Sequence, residues 1–233
     1  MNKSLELLCA GAAQGLVKSL QQHFLADTGA TVKARFGAVG AIRELLLAGE
    51  PCDVMVATDA MIDSLVTEGR LQAATRMPLG SVRTGLAVRS GEPRPDVSTP
   101  VALKATLLAA DAIFFPDPLR ATAGIHFANV MRVLGIHDEL LPRFRNFPSG
   151  ATSMRELAVT GAPGQIGCTQ VTEINYSAGV DLVGALPDRF ELATVYSAAA
   201  NTHAEQGELA KRFIALLAGP DSLALRSAGG FEF

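Results

Sequence analysis

A chain that repeatedly runs from an apolar stretch through small residues into an amphipathic stretch has few folds open to it. This one does so at four places, around Ala12-Ala13, Ala38-Val39, Ala121-Thr122-Ala123 and Gly150-Ala151-Thr152. Each reads as a buried strand, a short loop and a helix start. Such alternation predicts a mostly parallel sheet with helices on both faces. In open α/β sheets ligands sit beyond the carboxyl ends of the strands. A helix N-terminus there offers unpaired N–H groups and the positive end of the dipole, and small residues let an anion come close. Small residues also suit strand–helix turns for packing alone, so one loop does not separate the two readings.

The stretch from Ala112 to Gly135 carries the device most fully. Residues 112–115 form a short apolar strand, and Pro116-Asp117-Pro118 a turn. A helix is expected from Thr122, which serves as its N-cap. Arg120 lies in the loop between them. Further strands are expected at residues 5–10, 31–36, 52–57, 84–89, 165–169, 181–186 and 192–199. Helices are expected at 16–25, 60–68 with Asp59 as cap, and 99–108 opened by Thr99-Pro100. Others fall at 150–159, stopped by Gly161-Ala162-Pro163-Gly164, and at 171–176, 205–217 and 221–227. Residues 140–147 read as a link.

Composition narrows the function. With 48% hydrophobic and 18% charged residues in 233, the chain is globular. A net charge of −3 excludes a general nucleic-acid binder. Three cysteines far apart (Cys9, Cys52, Cys168) give no disulfide framework and no metal-ligand spacing, so buried thiols are expected, with no metal and no cofactor. Glu6 interrupts the first apolar run, which is read as a strand and not as a secretory signal. The compartment is periplasmic if a signal peptide has been removed ahead of this stretch, and cytoplasmic otherwise.

Five blocks, LELLCAGAAQGL, ELLLAGEPCDVMVATDAMID, FPDPLRATAGIHFANVMRVLG, ATSMRELAVTGAPGQIGC and LLAGPDSLALRSAGGFEF, occur in order along the chain. Through them it resembles the molybdate-binding-protein-like branch of the periplasmic solute-binding proteins over essentially its whole length. The resemblance implies an α/β fold of type II: two lobes, each with a mixed sheet flanked by helices, joined by two hinge strands and closing on an anion. The lobes would be 1–82 with 195–233, and 83–194, with hinge crossings near residues 82–85 and 193–196. A monomer serving a transporter membrane subunit is implied as well.

The chain also departs from that branch. Where molybdate binders place hydroxyls in the first two loops, it carries Ala12 and Ala38-Val39-Gly40, and their late tyrosine falls on Cys168. It offers instead Arg120, Gln14, Ser149, Thr152 and Gln170, beside the backbone of Ala13, Thr122, Ala123, Gly150 and Ala151. An arginine fork matches a planar carboxylate, so the ligand expected is a di- or tricarboxylate, with molybdate, tungstate or sulfate as the alternative. Arg120 as a solvated loop residue, Ser149 as a simple helix cap and Arg155 as a surface residue remain open. The family resemblance also reaches aconitate-isomerase-like members. An isomerase would need a base near the reacting carbon, for which His126, Cys9 and Cys168 are the candidates.

Overall fold

The computed structural model describes residues 3–160 and 162–233. The chain divides into two compact units, Met1–Val82 with Thr194–Phe233, and Arg83–Ala193. The expected helix stop at Gly161 lies outside the described residues.

In the first unit β1 (Ser4–Ala10) leads through Gly11–Ala13 into α1 (Gln14–Thr28). Then follow β2 (Thr31–Gly37), α2 (Val39–Leu47), β3 (Val54–Thr58) and α3 (Asp59–Thr67). β1 lies between β2 and β3, parallel to both. On α1, Leu16, Leu20 and Phe24 recur every fourth residue and are buried, which turns one face onto the core. Phe24 meets Phe213 edge-to-face at 4.9 Å. Burying each such side chain contributes about 1.5–3 kcal/mol.

β4 (Met77–Arg89) begins in this unit and ends in the other. The second unit continues with α4 (Pro100–Ala109), β5 (Ala112–Pro116), α5 (Thr122–Val133), α6 (His137–Leu140) and β6 (Phe144–Phe147). It is completed by α7 (Gly150–Val159), β7 (Gln165–Gln170), α8 (Val171–Asn175) and β8 (Val180–Ala185). β5 pairs in parallel with β6 and β7, whereas β4 pairs antiparallel with β7 and β8. One face of this sheet is covered by Leu103, Leu107, Phe127 and Met131 of α4 and α5. The other meets Met154 and Leu157 of α7 and Ile174 of α8.

β9 (Ala193–Ala200) returns the chain to the first unit, antiparallel to β3, before α9 (Gly207–Ala218) and α10 (Leu223–Gly229). The sheets are therefore mixed and not mostly parallel: β9 in one unit and β4 and β8 in the other run against their neighbours. The link at residues 140–147 hides α6 and β6, because FRNF is too short for a period and has exposed polar residues at its centre.

Two helix starts differ by one residue from expectation. Thr58, not Asp59, caps α3, accepting from the Met61 N–H, and Ala121 rather than Thr122 is the N-cap of α5. Thr99 does cap α4, with Pro100 behind it. At the C-terminus Arg226 is 4% exposed, and its hydrogen bonds among the described residues go to neutral oxygens. Its guanidinium donates to the carbonyls of Leu79 (2.7 Å), Ala218 (2.7 Å) and Gly219 (2.8 Å) and to Ser222 Oγ (3.1 Å), and lies 4.7 Å from the Phe233 ring centre. The negative end of α9 and the start of β4 thus share one buried cation. Arg226→Met, which keeps the stem and removes the donors, is expected to cost about 3 kcal/mol. The check is a drop in thermal midpoint of several degrees against the parent protein.

Candidate functional site

The sequence-marked residues fall at the carboxyl edges of the two sheets, and each unit holds its own set. In the first unit β1 and β2 end level, Ala10 opposite Gly37. The loops bearing Ala12, Ala13 and Gln14, and Ala38 and Val39, are therefore neighbours. In the second unit β5 and β6 end level, Pro116 opposite Phe147, with β7 alongside β5. This brings the Arg120–Ala123 loop, the Ser149–Thr152 loop and Gln170 to one edge.

What separates these helix starts is whether the chain satisfies them itself. α3 has Thr58 as cap and Asp59 in its first turn. Arg76 holds Asp59 by a fork, Nε at 2.9 Å, and Ser197 Oγ donates to it at 2.5 Å. These contacts, Arg76 foremost, keep the Asp59 carboxyl below its usual value. In contrast α1, α2 and α5 begin at Ala13, Ala38 and Ala121, none of which makes a side-chain cap, and none has an acid in its first turn. Among the described residues their first turns thus have neither a side-chain cap nor an acid of their own. Gly124 lets the loop before α5 close tightly, since a Cβ there would stand 2.3 Å from the Pro116 carbonyl oxygen.

The fourth loop is different. Ser149 caps α7, accepting from the Thr152 N–H at 3.2 Å, and the Thr152 hydroxyl is held by Ser149 and Arg155. The Ala151 N–H donates to Glu173 Oε1 at 3.2 Å, and Thr169 Oγ1 donates to Glu173 Oε2 at 2.5 Å. A Cβ on Gly150 would lie 2.1 Å from that carboxylate. The Gly150 and Ala151 N–H groups and the Ser149 and Thr152 hydroxyls, marked in the sequence for a ligand, thus have internal partners in this structure: a carboxylate and a cap. Sequence reasoning missed Glu173, for nothing in VTEIN marks a residue whose partner lies 22 positions upstream.

The thiols lie inside the fold, as their apolar surroundings in the sequence led one to expect. Cys9 and Cys168 are fully buried, and burial pushes both well above the usual thiol value. Cys9 Sγ donates to the Ala10 carbonyl at 3.3 Å. Neither is poised as a thiolate base. Cys168 packs with Leu86, Phe115 and Phe127 in the core. His126 is half-buried, its Nε2 2.8 Å from the Phe190 carbonyl oxygen. A carbonyl only accepts, so Nε2 carries the proton of the neutral ring and Nδ1 keeps the lone pair. His126, Thr122, Ile125, Asn129 and Leu192 line a cavity of about 380 Å³. Arg120 is exposed in its loop. Gln170 is 2% exposed, and neither end of its amide has a partner among the described residues.

Burial raises the Glu173 carboxyl above its ordinary value of 4.5, with Thr169 and the N–H groups of Ala151, Gln170 and Gly150 opposing. A folded-state value above the unfolded one favours folding below pH 4.5, and this contribution is lost as pH rises through the raised value. Glu173→Gln removes it. The melting temperature of the variant minus that of the parent is therefore expected to climb as pH increases from 4.5; a flat difference contradicts the assignment.

Known proteins match along nearly the whole chain. A curated aconitate isomerase from a Pseudomonas species is 26% identical over 94% of this chain and 84% of its own. The periplasmic molybdate-binding protein of Azotobacter vinelandii superposes with a TM-score of 0.79 at 21% identity, covering 98% and 99% of the two chains. The sulfate-binding protein of Mycobacterium tuberculosis gives 0.73 at 16% identity, covering 99% and 86%. The fold is thus that of the two-lobed periplasmic binding proteins. No helix among the described residues is long and apolar enough to cross a membrane. The profile described as bacterial extracellular solute-binding protein matches residues 5–232, and the chain belongs to that family.

Proposed function

We propose that this protein binds a small organic anion, a di- or tricarboxylate, as the solute-binding component of a transporter. The observation that carries the reading is the contrast among helix starts. α3, α4 and α7 are closed by the chain's own side chains, whereas α1, α2 and α5 open at alanines without a cap or an acid. Unfilled N-termini at strand ends suit an anion. Relatives named for molybdate, sulfate and aconitate agree with an anionic ligand.

The carboxylate preference rests on side chains. Ala12, Ala13, Ala38 and Val39 bring no hydroxyl to the first unit's loops, and the α7 loop spends its donors on Glu173 and its own cap. A tetrahedral oxyanion wants many neutral donors around it. Arg120, at the entrance to α5, supplies instead a charged planar fork. Ligand at a hundred times its Kd stabilises a protein by about 2.7 kcal/mol. A thermal-shift panel is therefore expected to show a clear rise with a di- or tricarboxylate and none with micromolar molybdate or sulfate. Arg120→Ala is expected to weaken the carboxylate at least tenfold by calorimetry, about 1.4 kcal/mol. A molybdate shift with no carboxylate shift refutes the reading.

A second reading is isomerisation of an unsaturated tricarboxylate, favoured by His126. Its Nε2–H is committed to Phe190, which leaves Nδ1 as a fixed proton acceptor. Incubation with one geometric isomer of aconitate, followed by proton NMR, separates the readings. Appearance of the other isomer supports the enzyme, and its loss in His126→Gln assigns the base.

A further inference from the structure

The second unit's sheet treats its two faces differently at the carboxyl edge. Side chains alternate along β7, so Thr169 and Gln170 point to opposite faces. On the Thr169 side the polar groups close among themselves, through Glu173 and the start of α7. On the Gln170 side they do not. Gln170 follows Cys168 by two residues and stands opposite Thr84, as Cys168 stands opposite Leu86. Gln170 and Thr84 thus extend the row of side chains that α5 covers. α5 follows β5 and packs back across the sheet, so its uncapped first turn lies at this same edge.

Thr84 and Gln170 are also close neighbours. The Thr84 N–H donates to the Leu192 carbonyl at 3.2 Å and its own carbonyl accepts from Leu186 at 3.0 Å. Both backbone groups point away from β7, which makes Thr84 and Gln170 a non-hydrogen-bonded pair, the kind whose side chains approach most closely. Thr84 is 1% exposed and Gln170 2%. Thr84 Oγ1, Gln170 Nε2 and Gln170 Oε1 are all buried without a hydrogen-bond partner among the described residues. Buried polar groups are nearly always paired, and an amide unpaired at both ends beside an unpaired hydroxyl calls for a missing partner.

We propose that Gln170 and Thr84 form a neutral subsite that reads a hydroxyl group on the bound organic acid. The inference rests on the carboxylate reading above and names the class within it, a hydroxy di- or tricarboxylate. The chemistry sets the choice. An ionised carboxylate only accepts hydrogen bonds and would leave Gln170 Oε1 unpaired. A hydroxyl both donates and accepts, so it takes the Oε1 as acceptor and the Nε2–H or the Thr84 hydroxyl as donor. Charge recognition then stays with Arg120 and the α5 N-terminus, and the subsite adds discrimination by leaving polar groups unpaired when the hydroxyl is missing.

The test compares two pairs that differ by one hydroxyl, citrate against tricarballylate and malate against succinate, by titration calorimetry on the parent, Gln170→Leu and Thr84→Val. For the parent, the hydroxylated acid of at least one pair is expected to bind about tenfold more tightly or better. In both variants that ratio falls towards one, while the unliganded melting temperature holds or rises, because an unpaired buried group has been removed. Equal binding of both members by the parent overturns the inference and leaves the carboxylate reading standing. So does a ratio that survives substitution, and a lowered melting temperature with an unchanged ratio assigns the pair to a structural water. Binding of none of the four acids overturns the carboxylate reading, and this inference with it.

Discussion

The first turn of every helix leaves N–H groups without partners, and the rest of this molecule's chemistry follows from how each is supplied. Glu173 is the sharpest instance. Its carboxylate is buried against the start of α7, and Gly150 is compelled because any Cβ would collide with it. Taking a carboxylate out of water costs several kcal/mol, which here is offset by the donors of Thr169 and the backbone of Gly150, Ala151 and Gln170. A helix start held this way is not available to a ligand, since displacing Glu173 would strand a charge in the core. Among the described residues of the second unit, α5 starts with neither a side-chain cap nor an acid in its first turn. Four similar loops in sequence thus become three of one kind and one of another.

Much of the frame was legible because it depends on local rules. Thr99-Pro100 reads as a helix start wherever it stands, and the burial of Leu16, Leu20 and Phe24 follows from their spacing. The family was legible from five ordered blocks. What stayed hidden depends on partners far along the chain. Nothing near Arg226 announces that it will serve carbonyls of both α9 and β4, the latter 147 positions away. β6 is an edge strand of four residues whose place comes from β5 and not from its own pattern. Among the helix-opening loops, the small residues at Ala38 and Ala121 and those at Gly150-Ala151 look alike, and only the fold reveals that the last pair is already occupied.

The cysteines illustrate how a position can match a family's motif without inheriting its task. Cys168 stands where molybdate-binding relatives are expected to place a tyrosine, yet it packs against Leu86, Phe115 and Phe127, and burial keeps it protonated. Two residues later the same face carries Gln170, buried and unpaired. On this row the polar character thus sits at the strand's last residue, at the same edge as the start of α5.

That placement bears on the kind of ligand proposed. A tetrahedral oxyanion is served by short neutral donors converging on a small sphere, and alanines at the starts of α1 and α2 remove side-chain donors without closing the backbone ones. A larger, planar and branched anion makes different demands: charge-assisted forks at its ends and discrimination along its middle. Arg120 fits the first demand by chemistry, and a neutral amide beside a hydroxyl fits the second, because neither pays the desolvation penalty of a buried ion. An amide that is buried and idle without ligand destabilises the empty protein. Keeping it there is intelligible when the same unpaired groups make the wrong ligand costly, so Gln170 and Thr84 would add specificity more than strength.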